Sequence, residues 1–221
     1  GNIIRHRVVP RQFSKFGNSF VFDTEEVVVG TKDMSFEDYL YLRGLSFVIT
    51  VFFSAAEFRP LKKFMIEYNI SIDKWIIFIH ENISKYPEVC RQYLAFMKDT
   101  EDELFILRSD LIGFYEKSEN YEALVSGRLG DNLLSKYKQI LLYESYDSCL
   151  GLALAAAEMI IDNHSKDKMI NDLARYQSFR NIRSYICGND VYVDQEVELE
   201  YDVPGWLASK DSKCRLEDFE Y

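Results

Sequence analysis

Cysteine is scarce in this chain and widely scattered. Its four cysteines are Cys90, Cys149, Cys187 and Cys214, and no two form a CxxC pair. That spacing gives no support to a compact metal-binding loop. It reads instead as buried free thiols in a reducing cytoplasm. Long apolar runs are missing as well. The longest uncharged stretch, Gly44 to Ala56, stops at Arg43 and Glu57, short of the roughly 20 residues a spanning helix needs. No signal peptide is visible, although a fragment would have lost one, and Gly1 is read as a cloning remnant. Basic charge is in deficit: 26 Lys and Arg against 36 Asp and Glu leave a net charge of −10. Free nucleic acid and anionic membranes select basic faces, so both are disfavoured as partners. The three histidines, His6, His80 and His164, stand apart from one another, and they read as exposed polar residues at helix ends. No GxSxG, Walker loop or HExxH occurs.

What the chain does have is material for a core. Hydrophobic residues make up 48% and aromatics 15%, which argues against wholesale disorder. Residues 2–19 read as irregular. Phe20 to Val29 reads as a strand enriched in β-branched residues, and Gly30 to Asp33 turns the chain. Ser35 with Asp38 approaches a capping box, opening a helix that is apolar nearly all round from Leu45 to Phe53. Pro60 ends that helix or starts the next. Ser71 caps Ile72 to Tyr86, and Pro87 restarts the chain. Thr100 with Glu103 reads as a second capping box, opening a helix over Glu101 to Lys117. Further helices are expected over Leu133 to Tyr146, Leu150 to Asn163 and Lys166 to Ile186, with Gly188 in the C-terminal glycine position. From Val191 to Tyr201 the period changes to two, as in a strand with one acidic face.

The fold expected is mainly α: a bundle of about seven to nine helices. A small β element is expected from pairing of the N-terminal and C-terminal strands, which makes the class α+β by strict count. The organisation expected is a connector and strand in 2–30, a helical domain in 31–188, and a C-terminal strand and tail in 189–221.

Chemistry is harder to find. Gly127-Arg128-Leu129-Gly130 has the spacing of a KH loop, but turn chemistry makes it a plain interhelical turn. Glu101, Asp102 and Glu103 suit a first helical turn without a metal. The acids of 194–202 suit a soluble edge strand. The N-terminal arm is basic, with Arg5, Arg7, Arg11 and Lys15 and no acid before Asp23. It reads as a solvated connector, with charge-assisted contact to a phosphate or an acidic neighbour as the alternative. Lys32 and Arg43 flank the strand–helix junction, where α/β folds place ligands. A cation amid apolar residues needs a partner, so Arg43 is expected in an ion pair with Glu25, Glu26, Asp33 or another carboxylate; substrate contact is the alternative. The candidate interface or substrate contacts are thus Lys32, Arg43, Arg5, Arg7 and Arg11. No catalytic, cofactor-binding or metal residue is assigned.

Glu25-Glu26-Val27-Val28-Val29, Thr31, Met34-Ser35-Phe36-Glu37-Asp38-Tyr39 and Arg43 resemble the segment that follows the catalytic barrel in cobalamin-binding radical S-adenosylmethionine (radical SAM) proteins. Tyr201-Asp202-Val203-Pro204-Gly205-Trp206-Leu207 is similar to endings of such extensions. The resemblance implies a parent that binds a [4Fe-4S] cluster and S-adenosylmethionine, with cobalamin a further candidate. The ligands it would need, a CxxxCxxC loop and Asp-x-His-x-x-Gly, are both missing here. What the resemblance implies for this chain is a non-catalytic accessory domain that caps the preceding barrel or shapes its pocket. An independent helical protein-interaction domain is the alternative.

Overall fold

The computed structural model describes residues 1–161, 167–179, 196–209 and 214–221. The fold is mainly α with a small two-stranded antiparallel sheet. Ten α-helices lie among the described residues: α1 Phe36–Val48, α2 Arg59–Glu67, α3 Ile72–Asn82, α4 Pro87–Asp102, α5 Arg108–Tyr115, α6 Ser118–Val125, α7 Leu133–Glu144, α8 Tyr146–Ile160, α9 Asp167–Phe179 and α10 Val203–Ala208. The contacts divide the chain into two compact units. The first is Gly1–Phe47 with Arg91–Lys138; the second is Val48–Cys90 with Gln139–Tyr221.

In the first unit, β1 (Ile3–Phe16) and β2 (Ser19–Gly30) form a hairpin. Most of residues 2–19 is therefore the strand β1 with its turn, and not irregular. Gly17 adopts φ 60° as the first of two loop residues, where a primed hairpin turn calls for glycine. β2 pairs with β1, not with the C-terminal segment; residues 196–199 carry no strand, and 191–195 lie outside the described residues. The ladder is interrupted between Val8 and Phe13, a bulge in which Arg11 takes the left-handed conformation (φ 62°). Val8 and Phe22 are buried against Leu111, Tyr115 and Leu124, so the hairpin covers α5 and α6. Ser35 and Asp38 cap α1 reciprocally: Asp38 N–H donates to Ser35 Oγ (3.0 Å) and Ser35 N–H to Asp38 Oδ2 (2.8 Å).

Thr100 does not open a helix. It is fully buried inside α4, which runs on to Asp102. Burial of the face bearing Phe96 and Thr100 overrides the local capping signal. Gly127 and Gly130 have φ 72° and 61°, which explains glycine at both ends of the α6–α7 turn.

In the second unit, a π-helical turn, Ile49–Phe53, is closed by Ser54 N–H donating to Ile49 O (2.8 Å). Ser71 caps α3 through Lys74 N–H (3.3 Å), and Pro60 and Pro87 stand at the starts of α2 and α4. Trp75 is buried and donates from Nε1 to Ala153 O (2.8 Å), tying α3 to α8. The C-terminal segment is anchored twice. Asp172 accepts from the backbone N–H groups of Glu200 (2.5 Å) and Tyr201 (2.9 Å), and Trp206 is buried with Nε1 donating to Glu67 Oε2 (2.9 Å). His164, Cys187 and Gly188 lie outside the described residues. Among the described residues no single helix is long and apolar enough to cross a membrane.

Candidate functional site

Antiparallel register puts Arg7 of β1 directly opposite Glu25 of β2. Opposite charges facing across a pair stabilise it. Arg7 donates from Nε to Glu25 Oε1 (2.6 Å) and from Nη1 to Glu103 Oε1 (2.7 Å). Glu103 follows α4 directly; the same segment is stitched to β1 by reciprocal bonds between His6 and Phe105, both 2.8 Å. The side chains of Arg7, Glu25 and Glu103 are 25%, 41% and 13% exposed. Arg7 is thus no solvated connector residue but the clamp joining β1, β2 and the end of α4.

Tyr39 and Arg43 lie one turn apart on α1, and both face this clamp electrostatically. Burial raises the Tyr39 pKa, opposed by Arg43 and Arg7. Burial also pushes the Glu103 carboxyl up, with Arg7 and Arg43 pulling it back. Burial pulls Arg7 down, but Glu103 and Glu25 outweigh it and hold the guanidinium above its ordinary value. The two partners differ because Glu103 is the deeper one, so its loss of water exceeds the attraction it receives.

Arg43 is half-buried, with its guanidinium 5.4 Å from the centre of the Phe96 ring, a cation–π distance. The ion pair expected for it does not form: among the described residues no carboxylate lies within salt-bridge distance, and its buried Nε has no hydrogen-bond partner. Both nearby carboxylates are already bonded to Arg7.

The other candidates lie elsewhere. Arg5 donates to Ile4 O (3.0 Å). Lys32 pairs with Asp33 at 3.8 Å in the exposed turn before α1, both side chains about four-fifths exposed (83% and 79%). Arg11 reaches from the β1 bulge to Asp131, Nε–Oδ1 3.0 Å and Nη2–Oδ2 3.2 Å. This bond holds the Asp131 carboxyl below its usual range. The Arg11–Asp131 pair borders an open pocket of about 430 Å³ lined also by Phe13, Leu124, Leu129 and Gly130.

Sequence reasoning brought Arg7 and Arg43 forward and named Glu25 as a possible partner, but missed Tyr39 and Glu103. Tyr39 carried a usable signal, being four residues before Arg43 on one helix face. Glu103 carried none, because its role depends on an ion pair with Arg7, 96 residues away in sequence, and on the like charge of Glu25, 78 residues away.

Among the described residues no group of three His, Cys, Asp or Glu side chains converges. Cys149 is buried in apolar surroundings that push its thiol up to about 12, the opposite of what a thiolate ligand needs. No family model matches the chain, and neither does any curated protein or solved structure.

Proposed function

We propose that this chain is the non-catalytic C-terminal accessory domain of a larger radical SAM enzyme, where it caps the barrel or shapes the substrate pocket. One observation supports the reading most. Glu25, Tyr39 and Arg43, all from the segment that resembles the post-barrel region, converge on one charged cluster, and Arg43 retains donors with no acceptor. Arg43 lies over Phe96 but has no carboxylate of its own to bond, and a domain that presents a cation to a neighbouring pocket gives such a residue a use. In this reading the barrel of the same polypeptide is the partner, and it supplies the [4Fe-4S] cluster and S-adenosylmethionine, with cobalamin a further candidate. The setting is the cytoplasm, where the cysteines stay thiols.

Reading the native frame upstream of Asn2 tests this. The expected result is a continuous frame encoding a barrel with CxxxCxxC. A native frame that starts at Asn2 refutes it.

A further inference from the structure

Two helix faces meet in the first unit. α1 presents Phe36, Tyr39, Arg43 and Phe47, and α4 presents Phe96, Thr100 and the nearby Glu103. The Phe47 and Phe96 rings lie 5.0 Å apart, and Arg43 covers Phe96. On these faces two buried polar atoms lack hydrogen bonds: Nε of Arg43 and Oγ1 of Thr100. Buried groups of this kind are rare in native proteins and call for an explanation. Arg43 is only partly buried, and of its nitrogens only Nε is buried without a partner, which leaves the outer edge of the guanidinium to meet a ligand.

We infer that Arg43 is a binding residue for a carboxylate with an apolar body. A guanidinium edge offers two parallel N–H donors that fit a planar carboxylate. Phe96, covered by Arg43, supplies an apolar flank, and on α1 Tyr39 and Phe36, stacked 6.0 Å apart, precede Arg43 by one and two turns. The charges favour a monoanion. Arg7, Arg43, Glu25 and Glu103 sum to zero, and a phosphate dianion would set two further negative charges near Glu103. The carboxylate belongs either to a free small molecule or to an acidic side chain of a neighbouring polypeptide segment. The inference stands on this geometry and does not depend on radical chemistry.

The test uses the 221-residue chain labelled with ¹⁵N. The buried Nε–H of Arg43 is protected from water and is followed by NMR during titration with sodium benzoate, with N-acetyl-glutamate N-methylamide, and with sodium phosphate, against sodium chloride at matched ionic strength. The expected result is a saturable shift with benzoate, with the blocked glutamate, or with both. The first identifies a free small molecule as the ligand type, the second a protein side chain. Calorimetry with the same probe should show at least a tenfold loss of affinity in Arg43→Gln, with circular dichroism unchanged. Arg43→Lys keeps charge and stem but not the planar fork, so it should also lose about tenfold; it carries the test if Arg43→Gln fails to fold. A drift no different from chloride, phosphate binding as tightly as the carboxylates, or unchanged affinity in the variants would overturn the inference. Its failure leaves the accessory-domain reading standing, because the native frame is read independently.

Discussion

Replacing Arg7 with methionine removes the clamp while keeping most of its apolar stem. Glu25, 41% exposed, can turn to water, so its loss contributes less than about 1 kcal/mol. Glu103, 13% exposed, keeps a desolvated charge without its nearest cation. Breaking a fully buried pair costs about 3–5 kcal/mol; with a quarter of Arg7 in water, about 2–3 kcal/mol is expected here near pH 7. The cost must depend on pH. The Glu103 pKa is already raised by burial, and losing Arg7 raises it further. A raised carboxyl pKa means the folded state holds the proton more tightly than the unfolded one. The penalty is therefore small below the unfolded value of about 4.3, grows as pH rises through the folded pKa, and is complete above it. Both tryptophans, Trp75 and Trp206, belong to the second unit, so their fluorescence does not read the hairpin. Hydrogen exchange of the β1–β2 amides does. Corrected for intrinsic rates, exchange in Arg7→Met should quicken by about 30- to 150-fold at pH 7.5 and by much less at pH 4.5. Adding Glu103→Gln should recover part of the loss. An equal effect at both pH values, or less than threefold at pH 7.5, would refute the reasoning.

Gly130→Ala should destabilise more than Gly127→Ala. Both have positive φ, costing about 1–2 kcal/mol, but a Cβ at Gly130 would also collide with Cδ2 of the buried Leu124, whereas at Gly127 the nearest atom is Asp131 Oδ2 at 3.5 Å; thermal unfolding by circular dichroism ranks them. Asp172→Ala should loosen the C-terminal segment by about 2–3 kcal/mol, since two N–H groups lose a charged acceptor; exchange at the Glu200 and Tyr201 amides reads this. Cys149, its thiol pushed up to about 12, should resist iodoacetamide at pH 8 in the native state while the partly exposed Cys90 is labelled. Peptide mass spectrometry distinguishes the two.

Local signals carried much of this fold. Ser35 with Asp38, Ser71, Pro60 and Pro87 each mark a helix start in the structure because their chemistry acts within four residues. β1 escaped notice because Pro10 and the bulge at Arg11 break its alternation; the Gly17-Asn18 loop was the missed hairpin signal. Thr100 with Glu103 misled for the opposite reason, a correct local pattern overridden by burial inside α4. The site was legible only as loose cations. That Arg7 would take both carboxylates and leave Arg43 without one depends on where α4 ends relative to the hairpin, which no local pattern encodes.

Iron and acid-labile sulfide, measured after the same anaerobic reconstitution of the native full-length product and of the 221-residue chain, test the central claim most directly. The accessory-domain account predicts one [4Fe-4S] cluster on the full-length product and none on the 221-residue chain. A cluster assembled on this chain alone, or none on the full-length product, would contradict it.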